Sequence, residues 1–275
     1  MKIGRILVKE NITFYIEPHG SFGYEAMKKS RLKKIIANST VFRHLIKKSK
    51  GYIFTNKSEF DDSIYRTNND LVIPNGVIPS VIYDAKMKTD NSFKNPTFYF
   101  LGRFDIYHKG LDYLLDALDI LESSGYSFKV NLYGTGTDEQ IEFVNSRIKN
   151  YKSMKVYNCG TIYGNEKKKA LELCNILILT SRYEGSPMTV LDGFSYGNPC
   201  IVTPGTNVSE EASENDIGWR VELDAKAISN AIIQAQKVYV QDGLGYFARC
   251  KNYVLENYSW DKIAKYSVEE LQNQL

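Results

Sequence analysis

"NILILTSRYEGSPMTVLDGFSYGNPCIVT", residues 175–203, sets two short apolar runs on either side of a helix-like stretch. Ser186 is a good N-cap and Pro187 a good first helical residue, while Gly197 and Pro199 supply the stop. Between them Val190, Leu191 and Phe194 recur at helical spacing and make a core stripe. Strand, helix, strand in that order reads as a βαβ crossover with parallel strands.

The same rhythm extends upstream. "TFYFLG" (97–102) precedes a leucine-rich helix within "KGLDYLLDALDILESSG" (109–125). Then come "FKVNLYG" (128–134), a helix over 137–149, "MKVYNCG" (154–160) and a short helix over 164–173. Five such strands predict an α/β fold with an open, doubly wound parallel sheet that takes ligands at the carboxyl ends of its strands. Residues 1–76 repeat the theme more weakly, through "ITFYI", two basic helices, "GYIF", a helix near 57–66 and "DLVIPNG". That is too little to bury a core alone, so it reads as part of a second α/β unit. The polar stretch 84–96 is the natural linker. The expected organisation is therefore 1–83, a linker over 84–96, a larger domain over 97–256, and a closing helix within 257–275.

Bulk properties narrow the class. Of the 275 residues, 43% are hydrophobic and 24% charged, as in ordinary globular proteins. No apolar run approaches the ~18 residues that span a bilayer, and "MKIGRILVKEN" breaks any signal-peptide core with charge. Four cysteines without CxxC spacing read as reduced thiols in a cytoplasmic protein. The net charge of +3 conceals 14 Lys and Arg against 7 Asp and Glu in residues 1–78. Nine of those cations lie in residues 28–50, which contain no acid and interleave Leu32, Ile35, Phe42 and Leu45. Such a stretch is either a solvated helix pair or a surface for an anionic membrane face. The net acidic remainder argues against nucleic acid.

Several residues sit where chemistry is expected. Asp192 points away from the core stripe of its helix, and Glu184 stays outside the helix at the end of a strand. The backbone N–H groups around 187–190 form an anion site between those two acids. Arg103 and Lys109 follow another strand and flank a helix start, which suits a diphosphate. "YGTGT" (133–137) is a glycine-bearing strand–helix turn that does not complete GxGxxG, because Glu139 takes the last position. His19, in "EPHG", ends a strand. His44 and His108 have no metal-ligand spacing, and no serine or cysteine lies in a nucleophile elbow. From spacing alone, each of these could also be a solvated charge or a structural partner.

Taken together, "PHG", "VIPNGV", "LGRFDIYHKG", "LYGTGT", "SRYEGSPMTVLDGFSYGNPCIVT" and "NYSWDKIAKY" resemble the retaining, sugar-nucleotide-dependent glycosyltransferases of family 4, a group 1 family of two-domain GT-B architecture. The resemblance implies a role for each matching residue. Arg103 and Lys109 would neutralise the donor diphosphate. Glu184 would bind hydroxyls of the transferred sugar, and Asp192 those of the ribose. Gly185, Ser186, Pro187, Met188 and Thr189 would contact sugar and phosphate, with Gly134 beside them and Ile162 near the base. His19 would face the donor sugar, and Trp260 would begin the helix that crosses back to the first domain. The family implies a UDP-linked sugar as donor, no metal or other cofactor, and a glycan or lipid-linked acceptor. In detail the likeness is to enzymes of bacterial capsule and exopolysaccharide assembly, on the inner membrane face.

Two departures from the family pattern stand out. The second acid is Asp192 rather than Glu, about 1.5 Å shorter. The chain also begins about two thirds of the way through the family's amino-terminal domain, so it either acts in this short form or is completed by a partner protein. Two other readings stay open at this point. One is a nucleotide-sugar-binding remnant or subunit without turnover, and the other a sugar-nucleotide epimerase on the same fold.

Overall fold

The structure is a computed structural model describing residues 2–24, 27, 36–37, 39–40, 42–78 and 93–274. The chain divides into two compact units, Met1–Gly76 with Trp260–Leu275, and Val77–Ser259.

The smaller unit contains helix α1 (Lys2–Lys9), strand β1 (Tyr15–Ile16), α2 (Arg43–Lys48), β2 (Gly51–Phe54), α3 (Lys57–Asp62) and β3 (Leu71–Val72). The three strands form a parallel sheet with β2 in the middle. Helix α1 is absent from the sequence expectations, although Lys2, Arg5 and Lys9 recur at helical spacing. "ITFYI" contributes only two residues of strand, and α3 stops four residues before the expected end, at Ser63. Asn56 caps α3 by accepting from Glu59 N–H. One apolar cluster gathers Phe22, Tyr52 and Phe54; a second gathers Leu71, Ile73 and Ile263, with Leu271 packed against it. The last two residues come from the closing helix Trp260–Asn273, so this unit is built from both halves of the sequence. Residues 28–35, 38 and 41 of the basic stretch, and residues 84–92 of the expected linker, lie outside the described residues.

The larger unit alternates strand and helix throughout. Its elements are β4 (Thr97–Leu101), α4 (Leu111–Ser123), β5 (Lys129–Tyr133), α5 (Asp138–Ile148), β6 (Lys155–Gly160), α6 (Gly164–Leu173), β7 (Ile176–Leu179), α7 (Met188–Ser195), β8 (Cys200–Val202), α8 (Ser209–Glu214), β9 (Gly218–Arg220) and α9 (Ala225–Asn257). The sheet is parallel, in the order β6-β5-β4-β7-β8-β9. After β6 the chain returns to the far side of β4, which puts the topological switch between β4 and β7. All five expected strands are present; the sixth, β9, is only three residues of "GWR" and carries no apolar run to reveal it.

Packing follows the apolar spacing. In α4, Leu111, Leu114, Leu115, Leu118 and Leu121 are buried, each worth about 2 kcal/mol when fully removed from water. They meet Phe98, Tyr99 and Phe100 of β4 in one continuous core. In α7 the buried residues include Val190, Leu191 and Phe194, the stripe expected from spacing. Asn198 of the Gly-Asn-Pro stop is fully buried and donates to Leu171 O at 2.8 Å, tying the end of α7 to α6. Helix α9 bends at Asp242, whose φ of −134° is not helical. Among the described residues no helix is long and apolar enough to cross a membrane. None of the four cysteines forms a disulfide, and three are buried.

Candidate functional site

The loops leaving β4 and β7 flank the switch point, and they are stitched together. Lys109 Nζ donates to Glu184 Oε1 at 2.6 Å, with side chains 14% and 10% exposed. Ser181 Oγ donates to the same oxygen at 2.5 Å, and Asn207 Nδ2 holds the Glu184 carbonyl at 2.5 Å. No further donor reaches Glu184 Oε2 among the described residues, so one carboxylate oxygen is open. A pair this buried is stable only because each charge compensates the other.

Gly110 makes the approach of the two loops geometrically feasible. Its φ is +61°, and a Cβ there would lie 1.9 Å from Thr180 O. Thr180 Oγ1 in turn donates to Gly110 O at 3.0 Å. Arg182 extends the stitching: its guanidinium makes a bidentate contact with Asp112 at 3.0 and 2.6 Å and lies 4.2 Å over the Tyr107 ring. Bidentate geometry of this kind fixes orientation as well as charge. His108 Nε2 sits 2.8 Å from Tyr183 O, and its ring stacks on Tyr183 with centroids 4.2 Å apart. A carbonyl only accepts, so Nε2 carries the hydrogen. Burial, with help from the neighbouring Lys109 charge, lowers the His108 pKa against the opposing pull of Glu184.

The other expected residues of this unit lie on the loops after β4, β5 and β6 and on α7. Arg103 is exposed in the loop after β4 and makes no ion pair among the described residues. Gly134 abuts that loop so closely that a Cβ would lie 1.8 Å from Gly102 O. Asp192 leaves the core face of α7 as expected, but it is not free: Lys167 of α6 holds its Oδ2 at 2.5 Å. Ile162 is half-buried in the loop between β6 and α6.

The loop into α7 differs from expectation in two ways. The helix begins at Met188 with Pro187 as its cap residue, and Ser186 makes no capping bond. The reason is Pro187 itself, whose ψ of 75° is far from helical although its ring restrains φ. The amide array is also narrower than the sequence suggests. Pro187 has no N–H, Met188 N–H goes to Ser186 O at 2.9 Å and Val190 N–H to Pro187 O at 2.8 Å. Among the described residues, Thr189 is the one of the three N–H groups that no carbonyl takes.

His19 belongs to the smaller unit. It is exposed, with φ +48° and Nε2 3.5 Å from Glu17 Oε1. The buried Glu59 carboxylate supports its turn, accepting from the Gly20 N–H on one oxygen and from Thr55 N–H and Oγ on the other, at 2.7 and 2.6 Å. Sequence reasoning assigned no role to Ser181, Arg182, Asn207, Asp112, Lys167 or Glu59, since their partners are mostly remote in sequence. His108 was visible beside Lys109, but nothing in the sequence paired it with Tyr183. Among the described residues no three His, Cys, Asp or Glu side chains group as metal ligands would.

A six-stranded parallel sheet with a buried Lys–Glu pair at its switch point is a doubly wound α/β domain with charged groups where such sheets take ligands. Residues 95–237, just over half of the chain, match the family model "Glycosyl transferases group 1", and the chain belongs to that family. It is 29% identical over 119 residues to lipopolysaccharide 1,6-galactosyltransferase of Escherichia coli, covering 43% of this chain and 33% of that one. It is 24% identical over 184 residues to glycogen synthase of Thermodesulfovibrio yellowstonii, covering 66% of this chain and 35% of that one. The chain thus spans about a third of the length of these curated relatives. Among solved structures, HepE of Anabaena in complex with UDP and glucose superposes with TM-score 0.71 at 14% identity, over 98% of this chain and 74% of that one. That likeness establishes the fold, a GT-B-type α/β architecture.

Proposed function

We propose that this chain transfers a sugar from a nucleoside-diphosphate donor, with the Lys109–Glu184 pair at the heart of the donor site. The observation that carries the reading is that pair, buried at the switch point with Glu184 Oε2 left open. Lys109 and Arg103 would take the diphosphate, and the open oxygen would take a hydroxyl of the transferred hexose. Asp192 would take the ribose, sharing its carboxylate with Lys167. Gly185, Ser186, Met188 and Thr189 would line the sugar and phosphate, Gly134 the diphosphate turn, and Ile162 the base. UDP is the nucleotide of choice, because HepE was solved with UDP and glucose.

The chemistry needs no protein nucleophile. The bond from the anomeric carbon to the phosphate oxygen breaks, and the acceptor oxygen bonds to the same face. Its proton passes to the departing phosphate, so configuration is retained, as the family 4 resemblance implies. Cations fixed around the leaving group are stronger in a dry site than in water. We place the acceptor among glycans or lipid-linked sugars of bacterial surface polysaccharides, a setting consistent with the lipopolysaccharide enzyme among the relatives. The basic residues of 28–50, including Arg43, Lys47 and Lys48 of α2, would hold the protein against an anionic inner membrane face.

Calorimetric titration with UDP, GDP and ADP, on the wild type and on Lys109→Ala, tests the donor site. Saturable binding of one nucleotide that the variant loses supports it. A folded wild type that binds none of the three overturns it. Binding without transfer from any UDP-sugar would leave the chain a binding subunit.

A further inference from the structure

We infer that His108 is a positioning residue for Glu184: its imidazole clamps the main chain immediately before Glu184 and so sets where the open carboxylate oxygen points. The inference rests on the donor-site reading above.

Four observations carry it. His108 Nε2–H donates to Tyr183 O at 2.8 Å, one residue before Glu184. Its ring stacks on Tyr183 at 4.2 Å with only 15° between planes, which fixes the peptide's rotation as well as its distance. The His108 carbonyl accepts from Arg182 N–H at 2.9 Å, so backbone and side chain grip residues 182 and 183 together. The His108 N–H donates to Asp105 Oδ1 at 3.0 Å, which anchors the clamp within its own loop. Lys109 follows directly in the chain, so one loop delivers both the cation and the group that aims its partner carboxylate.

The groups facing His108 are Tyr183, Lys109, Glu184 and Asp105, and they include both charges of the donor pair. No contact to a ligand is needed for this role. Lys109 can still bind a diphosphate after the clamp is lost, but Glu184 can no longer hold a fixed geometry toward a hexose. Loss of His108 is therefore expected to separate two affinities that the wild type couples.

The test compares UDP with UDP-glucose by calorimetry for the wild type, His108→Ala and His108→Gln. The Gln side-chain N–H can replace Nε2–H. His108→Ala should bind UDP within about threefold of the wild type and UDP-glucose about tenfold more weakly, one lost hydrogen bond. His108→Gln should recover most of that loss. Equal weakening of both ligands in His108→Ala, or no recovery in a folded His108→Gln, overturns the inference. If the wild type binds neither ligand, the donor-site reading fails, and amide exchange then decides the clamp by itself. Faster exchange over residues 183–189 in His108→Ala, restored in His108→Gln, upholds it, and unchanged exchange overturns it.

Discussion

Lys109 and Glu184 are separated by 75 positions in sequence and by 2.6 Å in space, each delivered by a loop at the carboxyl end of a neighbouring parallel strand. Neither charge would be tolerated at this depth without the other.

Removing one partner should therefore cost twice. Lys109→Ala and Glu184→Ala are each expected to lower stability by about 3 kcal/mol, because the remaining charge stays buried. Transfer should fall by ~10²-fold or more at temperatures where both variants are folded. Denaturant titration alongside an assay of UDP release with a suitable acceptor reads both effects. Loss of stability without loss of transfer would make the pair purely structural.

Gly110→Ala should be worse than its size suggests. Its left-handed backbone costs an L-residue about 1 kcal/mol, and the new methyl would meet Thr180 O at 1.9 Å. Relief of that contact must separate the two loops, so a loss of more than about 2 kcal/mol is expected. An exposed glycine with positive φ and open space, Gly164, is the control: Gly164→Ala should cost only the backbone strain.

His108 should leave a mark on the pH dependence of stability. Its folded pKa is lowered from 6.5, so between that value and the folded pKa the unfolded chain binds more protons. Stability should fall as pH drops through this window, and His108→Gln should flatten that part of the profile. Chemical denaturation at half-unit steps from pH 7.5 to about 5 reads the difference, and parallel profiles would refute the burial of a neutral imidazole.

Glu122 gives the opposite kind of group. Its carboxylate accepts the consecutive N–H groups of Lys152, Ser153 and Met154, and those bonds lower its pKa. Its contribution is full above the unfolded value near 4.5 and is lost as pH falls through the folded pKa. Glu122→Gln should be less stable than wild type at neutral pH, and the gap should close in acid.

Much of this fold was legible because parallel strands in α/β proteins are short, apolar and evenly interrupted. "NILILTS" and "PCIVT" announce themselves, whereas "GWR" of β9 does not. The positions of Glu184, Arg103 and Lys109 after their strands, and of Asp192 off the core face of its helix, were also legible. What holds them was not. Ser181, Asn207 and His108 act through hydrogen bonds to atoms up to 75 residues away, and Lys167 reaches Asp192 from another helix. A serine or an asparagine in a loop, or a lysine on a helix, has no spacing rule that names such a partner. The capping of α7 failed for a local reason, because φ of a proline is predictable and its ψ is not.

The division of the chain also orders its synthesis. Ile263 and Leu271 complete an apolar cluster whose other members lie before residue 74, while residues 77–259 are contiguous. A ribosome therefore releases every strand of the larger unit before it releases the last helix of the smaller one. The larger unit can fold as it emerges, whereas the smaller one must wait with part of its apolar surface uncovered. Once residues up to 259 have left the ribosome, the larger unit has its whole core, while Leu71 and Ile73 still lack Ile263.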